Sequence, residues 1–281
     1  MKVLFWIFDI PVHFFGVTIA AGVLAGIWLI YREASNSNEF NQNTILDMAI
    51  YMFLFVIVGA RVGYILFYNP AHYLQDPLQI FMIHQGGLSV HGGIVGGLLF
   101  GIWYVKKYKL DFWKLADLFA PALILGQAIG RIGCDVFGKP METHRFWGVV
   151  YEGVLVHPAQ IYEVILNFVV FFILWEKRKV KNYHGQIFLW YIILFSVNRG
   201  IVEIFRVNPT IVGELSVSHL LSLIFIIAAL IISYFRKQEG ALLDVSNNQF
   251  GIKKILNLII VVILSLISVF IYYSVWGGWV A

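Results

Sequence analysis

Three apolar stretches of the chain carry basic side chains that could bind an anion within a membrane. His91 lies in the glycine-rich stretch 86–97, Arg131 lies in the short stretch 130–133, and Arg199 begins a third stretch at 199–206. A charged group in hydrocarbon costs roughly 2.5–3.5 kcal/mol on insertion scales, so such groups are usually functional. Guanidinium groups bind phosphate oxygens through paired hydrogen bonds. The sequence therefore predicts a phosphate-binding site.

The third stretch places two arginines and one glutamate on a single helix face. Arg199, Glu203 and Arg206 stand at positions i, i+4 and i+7, and residues with this spacing are neighbours on a helix surface. Glu203 is expected to neutralise and orient one of the two arginines. The other arginine then leaves a positive charge that is available to an anion.

His91 is surrounded by glycines at positions 86, 87, 92 and 93. This density exceeds what helix packing needs and indicates an irregular or re-entrant backbone, which a membrane tolerates only against protein or a water-filled cavity. A single histidine in a helix is often only a hydrogen-bonded core group. Here the glycines and the predicted arginines nearby favour a general base or a phosphate donor.

Further polar residues lie in the apolar segments. His157 and Tyr162 flank the start of a predicted helix with Pro158 at its first position, where proline is favoured. A structural and a functional role fit these two residues equally well. Arg61 adds a cation in the second apolar segment, whereas Asp117 is expected to pair with a lysine one turn away, at position 114, and to serve the structure.

The composition excludes an ordinary soluble protein. Of 281 residues, 60% are hydrophobic and only 13% are charged, and the mean hydropathy is +0.80; too little polar surface remains to cover such a core. A single cysteine, Cys134, and eight scattered histidines give no disulfide and no metal-ligand spacing. We therefore expect no metal and no cofactor, membrane lipids as partners, and no nucleic acid.

Eight apolar segments are long enough to cross about 30 Å of hydrocarbon. They lie at 12–31, 45–67, 88–104, 115–133, 159–175, 186–205, 215–235 and 255–273. The predicted fold class is therefore all-α, a polytopic transmembrane helical bundle. Lysines and arginines concentrate in the loops after the third, fifth and seventh segments, which predicts that those loops are cytoplasmic and that the N-terminus lies outside.

This orientation gathers the unusual residues near the outer leaflet. His91, Arg131, His157 and Arg199 each fall toward the outer end of a different apolar segment. Scattered structural residues would not share one depth. We therefore predict one site, facing the outer leaflet, assembled from four helices.

Six motifs in order across most of the chain together resemble the prolipoprotein diacylglyceryl transferase family. They lie at 60–64, 86–97, 117–121, 130–133, 157–163 and 199–206. The resemblance implies a multi-pass enzyme of the bacterial inner membrane with seven spans. The transferase-like transmembrane domain is predicted at 1–238, and residues 239–281 are predicted to form a cytoplasmic linker and an additional C-terminal transmembrane helix beyond the usual seven.

The resemblance further implies a reaction and roles for individual residues. Diacylglyceryl passes from phosphatidylglycerol to the lipobox cysteine thiol of a prolipoprotein signal peptide, which forms a thioether and releases glycerol phosphate. The implied catalytic residues are His91, Arg131, Arg199 and Glu203. The residues implied to bind phosphatidylglycerol are Arg131, Arg199, Arg206, Arg61, His157, Tyr162, Gly92 and Gly93.

The chain also departs from the family pattern. Cys134 stands where the family usually has an asparagine, Lys139 lies in the altered segment that follows, and Phe15 replaces a usual tyrosine.

Two other functions also fit buried charges in interrupted helices: a lipid transporter or scramblase, and a non-catalytic phospholipid-binding membrane protein. A transporter would require charges near the bilayer midplane and an inverted internal repeat.

Overall fold

Long helices dominate the protein in a computed structural model that describes residues 2–8, 10–37, 39–68, 70–83, 86–213, 215–239 and 252–277. Within these ranges the helices are α1 (Phe14–Ser35), α2 (Gln42–Tyr68), α3 (Pro70–Gln75), α4 (Val90–Lys107), α5 (Phe112–Arg131), α6 (Ala159–Lys177), α7 (Gln186–Glu203), α8 (Val217–Glu239) and α9 (Ile252–Trp276). The prediction of an all-α polytopic bundle is confirmed, since the strands form only small separate hairpins.

Six of the described helices, α1, α2, α5, α6, α8 and α9, are long and apolar enough to cross a membrane. The other two predicted spans, α4 and α7, are also helical, with 18 residues each. Glycines in α4 and polar residues in α7 lower their apolarity. The predicted count of eight spans and their orientation stay predictions.

In the described residues, three antiparallel hairpins and a short 3-10 helix, none of them predicted, precede or connect the helices. β1 (Val3–Ile7) pairs with β2 (Ile10–His13), β3 (Val149–Tyr151) with β4 (Val154–Val156), and β5 (Thr210–Val212) with β6 (Leu215–Ser216); the 3-10 helix spans Pro77–Phe81. The β3–β4 turn has Glu152 and Gly153 at φ +50° and +80°, as a two-residue hairpin requires.

The chain divides into two compact units. The α2–α4 unit comprises residues 27–115, and the α5–α9 unit comprises residues 1–26 and 116–281. The predicted linker after residue 238 falls mostly outside the described residues. α9 itself packs against α6 within the α5–α9 unit, and the predicted domain division stays a prediction.

Glycines hold the α2–α4 unit together at very short range. A Cβ on Gly59 would lie 2.6 Å from the carbonyl oxygen of Gly92 and 2.8 Å from the Cα of Gly96. A Cβ on Gly93 would approach the carbonyl oxygen of Val56 at 3.3 Å. Small residues allow such contact between membrane helices. Gly92 and Gly93 therefore serve helix packing in this structure, and their predicted binding of lipid stays a prediction.

Asp117 organises the start of α7 within the α5–α9 unit. Its carboxylate accepts hydrogen bonds from the backbone N–H groups of Gly185 at 2.8 Å and Phe188 at 3.1 Å, and Lys181 Nζ pairs with it at 3.1 Å. The carboxylate thus satisfies free N–H groups at a helix start. The expected partner, Lys114, instead pairs with Glu39 at 3.3 Å. The pairing predicted from helical spacing was wrong, although the structural role is confirmed.

The α2–α4 contact predicts a destabilising substitution. Gly59→Ala places a methyl group against the backbone of α4, and overpacking of this kind costs about 1–3 kcal/mol. We expect a lower midpoint of thermal unfolding in detergent micelles. Gly16→Ala is the matched control because a Cβ there has nothing within 4 Å. Equal unfolding midpoints for the two variants would contradict the packing role of Gly59.

Candidate active site

Five charged residues form a cluster in the α5–α9 unit, which we call the arginine cluster. Arg131 is the last residue of α5, Glu163 lies in the second turn of α6, Arg199 and Glu203 lie in the last two turns of α7, and Arg206 follows α7. Of these, Glu163 was not among the residues predicted for the site. Its charge in the N-terminal part of a mostly apolar helix was the available signal.

Glu163 connects two arginines that come from different helices. Its Oε1 accepts from Nε of Arg131 at 2.9 Å, and its Oε2 lies 4.0 Å from Nη1 of Arg199. Glu203 continues the chain, with Oε2 3.1 Å from Nη2 of Arg199 and 3.9 Å from Nε of Arg206. The prediction that Glu203 pairs with an arginine of its own helix face thus agrees with the geometry.

The charges of the arginine cluster do not cancel, because three guanidinium groups face two carboxylates. The Glu163 and Glu203 side chains are 5% and 1% exposed, whereas those of Arg131, Arg199 and Arg206 are 29%, 22% and 13% exposed. Nη1 of Arg199 and Nε of Arg206 are buried and have no hydrogen-bond partner. The cluster therefore carries a net positive charge, and its arginine side chains are partly accessible whereas its carboxylates are not.

The pKa of Arg206, which lies outside the helices, reflects this excess positive charge. Burial, followed by the neighbouring charges of Arg199 and Arg131, lowers the pKa of Arg206. A guanidinium stays protonated in proteins all the same. Like charges held this close together are stabilised by a bound anion, so the cluster suits a phosphate group.

Residues near the β5–β6 hairpin fix the orientation of Glu203. Its Oε1 accepts from Asn208 Nδ2 at 2.8 Å and from Ser216 Oγ at 2.6 Å, while Nη2 of Arg199 donates to Ser218 Oγ at 3.3 Å. The sequence interpretation missed these three residues, because the short hairpin that returns the chain toward α7 gave no strong local pattern.

His157 and Tyr162 belong to a hydrogen-bonded chain that begins at Trp147. Nε1 of Trp147 lies 3.1 Å from the hydroxyl of Tyr162, and this hydroxyl lies 3.1 Å from Nδ1 of His157. An indole N–H only donates, so the tyrosine hydroxyl accepts from it and has its own proton to donate. Nδ1 of His157 can accept this proton when the ring is neutral and protonated on Nε2. Burial also lowers the pKa of His157, which agrees with this assignment.

The three departures from the family pattern lie in the same unit. Cys134 is buried and accepts a hydrogen bond at its Sγ from Nη1 of Arg131 at 3.2 Å. The backbone N–H of Lys139 donates to the carbonyl of Phe205 at 2.7 Å, while its side chain is exposed. A Cβ on Gly133 would lie 2.8 Å from the Cα of Phe15. The cysteine thus contacts the site directly.

The α2–α4 unit holds His91, which was predicted as a catalytic residue. His91 is exposed in the first turn of α4, behind an N-cap formed by Ser89. The preceding Gly86 and Gly87 adopt φ of +93° and +73°, so the predicted irregular backbone is present just before the helix. Such φ values favour glycine.

Arg61, predicted to bind lipid, has most of its donors occupied by the chain. It is 7% exposed and donates to the carbonyls of Gln79, Ile80, Gly86 and Gly87 at distances from 2.5 to 3.0 Å. These bonds fix the loop before α4, which is a structural role. Its binding of lipid stays a prediction.

The part of the chain that the structure describes contains no cluster of residues with the usual ligands of a metal ion. No three histidine, cysteine, aspartate or glutamate residues come together there as ligands. The donor set of the arginine cluster is cationic, which suits anions and repels metal ions.

Fold and site together define a multi-pass helical membrane protein with a cationic site buried among its helices. The chain belongs to the prolipoprotein diacylglyceryl transferase family, whose model matches residues 2–235. Curated relatives from Bacillus mycoides (strain KBAB4) and Bacillus cereus (strain G9842), each named phosphatidylglycerol–prolipoprotein diacylglyceryl transferase, are 34% identical to it over 244 residues. That alignment covers 82% of this chain and 90% of each relative. A relative of the same name from Bacillus thuringiensis subsp. konkukian is 33% identical over the same length.

Because Glu163 pairs with both Arg131 and Arg199, removing its charge should lower the stability of the protein strongly. Glu163→Gln leaves two arginines without a common counterion, and breaking a buried ion pair costs about 3–5 kcal/mol. We expect a clearly lower midpoint of thermal unfolding in detergent micelles. Glu142→Gln, in an exposed loop, is the control and should leave the midpoint unchanged. An unaltered midpoint for Glu163→Gln would refute the proposed importance of the bridge.

Proposed function

We propose that this protein transfers the diacylglyceryl group of phosphatidylglycerol to the cysteine thiol of prolipoproteins. The observation that carries the proposal is the arrangement of Arg131 and Arg199 on the two oxygens of Glu163. Two guanidinium groups held side by side, with net positive charge around them, suit the phosphodiester of such a lipid. The names of the relatives supply the substrate pair, phosphatidylglycerol and a prolipoprotein.

The leaving group is the central difficulty of this reaction. The thiol sulfur attacks the glycerol carbon that bears the phosphate, the C–O bond breaks, and glycerol phosphate departs with the bonding electrons. Negative charge then builds on the leaving oxygen. Arg131 and Arg199 would bind this oxygen more strongly in the transition state than in the bound lipid, which is how such contacts accelerate a reaction. Arg206 adds positive charge to the same side.

The nucleophile comes from the peptide substrate. A free thiol has a pKa of about 8.5, so only a few per cent is thiolate at neutral pH. A base must therefore remove its proton, and a nearby cation favours the thiolate. We assign the proton transfer to His91, directly or through a water molecule. Glu163 and Glu203 hold the arginines in position and do not touch the reacting atoms.

We further propose that the protein acts in the bacterial cytoplasmic membrane with its site toward the outer leaflet. The six apolar helices make a multi-pass membrane protein, and the basic loops favour an external N-terminus. The signal peptide and its lipobox cysteine would reach the site from that side. Transfer of diacylglyceryl by the purified protein separates this function from a transporter or a lipid-binding scaffold, neither of which forms a thioether.

Arginine-to-lysine exchange tests the phosphate-binding role. Arg131→Lys and Arg199→Lys keep the charge but lose the paired donors, and loss of one such donor costs about a hundredfold in rate or more. Diacylglyceryl transfer to a lipobox peptide, measured as thioether product, should fall accordingly. Arg145→Lys, in an exposed loop, should retain full activity. Undiminished transfer by the two folded cluster variants would exclude paired phosphate binding.

Substitution of His91 tests the assignment of the base. General-base catalysis contributes about 10²–10⁴-fold, so His91→Asn should slow transfer by this order and change phosphatidylglycerol binding little. Rates and lipid binding are measured on the same preparation, with His144→Asn, at an exposed loop position, as control. If transfer and binding decline in parallel, His91 is a binding residue and another group accepts the proton.

A further inference from the structure

The C-terminal helix α9 lies beyond the residues that the family model matches, yet it is fixed to α6 at both ends. Nδ2 of Asn257, near the start of α9, donates to Glu176, near the end of α6, at 2.7 Å. The hydroxyl of Tyr272, near the end of α9, donates to Gln160, near the start of α6, at 3.2 Å. The two helices therefore run antiparallel in one register, and hydrogen bonds of this kind stabilise helix pairs in membranes.

A cleft of about 420 Å³ opens between these two helices. Ile161 and Ile165 of α6 line it on one side, Val269 of α9 lines the other, and Trp147, Tyr162 and Tyr273 border it. The hydroxyl of Tyr273 donates to the carbonyl of Trp147 at 2.5 Å, which ties α9 to the aromatic border. The cleft is thus a built feature with both walls held in place.

The chemistry of the walls selects a hydrocarbon occupant. A water molecule in a cavity needs two to four polar partners. The polar atoms at the border, namely the hydroxyls of Tyr162 and Tyr273 and the indole nitrogen of Trp147, are already hydrogen-bonded to the protein. An open cleft between two apolar spanning helices also has the acyl chains of the bilayer as its neighbours. A fatty acyl chain satisfies all these conditions.

The position of the cleft connects it to the arginine cluster. Tyr162 borders the cleft and immediately precedes Glu163, which binds Arg131 and Arg199. Consecutive helix residues point roughly 100° apart. Tyr162 and Glu163 therefore lie on adjacent faces of α6, one at the cleft and the other in the arginine cluster. A lipid whose phosphate lies at the arginines therefore has its glycerol backbone beside the border of the cleft.

We propose that the cleft between α6 and α9 binds one acyl chain of the donor phospholipid and makes transfer depend on chain length. The inference rests on the proposed transferase function, since that function places the phosphate of the donor at the arginine cluster. Val269, Ile161 and Ile165 are accordingly specificity-determining residues. α9 supplies a wall of a substrate site although it lies outside residues 2–235 of the family match.

Filling the cleft tests this assignment. Val269→Trp in the full chain should lower kcat/KM for phosphatidylglycerol with hexadecanoyl chains by about tenfold, a usual effect of altered volume in an apolar pocket. The value for octanoyl chains should change little. Phe270→Trp is the matched control, because Phe270 is 66% exposed on the same helix. Equal effects on both donors, or no difference between the two variants, would overturn the proposal.

Photo-crosslinking tests acyl-chain binding in the cleft on the protein without any substitution. Phosphatidylglycerol with a diazirine at the end of one acyl chain should label residues of α6 and α9 around the cleft, and phosphatidylethanolamine with the same chain should label them less. Labelling elsewhere, or equal labelling by both lipids, would overturn the donor assignment. If the protein labels in the cleft but transfers no diacylglyceryl to a lipobox peptide, the proposed function fails and the acyl-chain site stands.

Discussion

The buried carboxylate of Glu163 is the interaction on which the site depends. It holds guanidinium groups from the ends of α5 and α7, Arg131 at 2.9 Å and Arg199 at 4.0 Å, on its two oxygens. Without it, like charges would repel one another in a region of low dielectric constant, where charges interact strongly. With it, the donors of both arginines stay close together and one side of each remains open. The carboxylate thus offsets the repulsion between the arginines and allows the helical bundle to hold them close together.

Close glycine contacts bring helices together in both compact units, including Gly22 against Gly126 in the α5–α9 unit, where polar side chains add further contacts. In the α2–α4 unit, glycines let two backbones approach until a single methyl group would collide, as at Gly59 and Gly92. In the α5–α9 unit, polar side chains join the helices, among them Asp117, Gln160 and Glu163. The hydrogen bonds of Arg61 fix the loop before α4 that carries Gly86 and Gly87. Ion pairs and hydrogen bonds fix the arginines.

α9 shows how an added helix can extend an existing site. Its hydrogen bonds to α6 involve residues at both ends of the helix pair, Asn257 with Glu176 and Tyr272 with Gln160. The side chains between them leave an apolar cleft instead of a closed interface. In a membrane such a cleft meets lipid chains and not water, so the added helix changes which lipids fit. The residues matched by the family model do not include this wall.

The sequence by itself determined the long apolar helices and the charged face of α7. Both depend on local properties, namely apolar length and the helical spacing of Arg199, Glu203 and Arg206. Only the tertiary structure decided the partners that are distant in the chain: Glu163 as the common counterion, the carbonyls that occupy Arg61, and the replacement of Lys114 by Lys181 at Asp117. A buried charge must find a partner, but helical spacing limits only partners on the same helix. Partners on other helices depend on packing distances and loop paths, which no local pattern encodes.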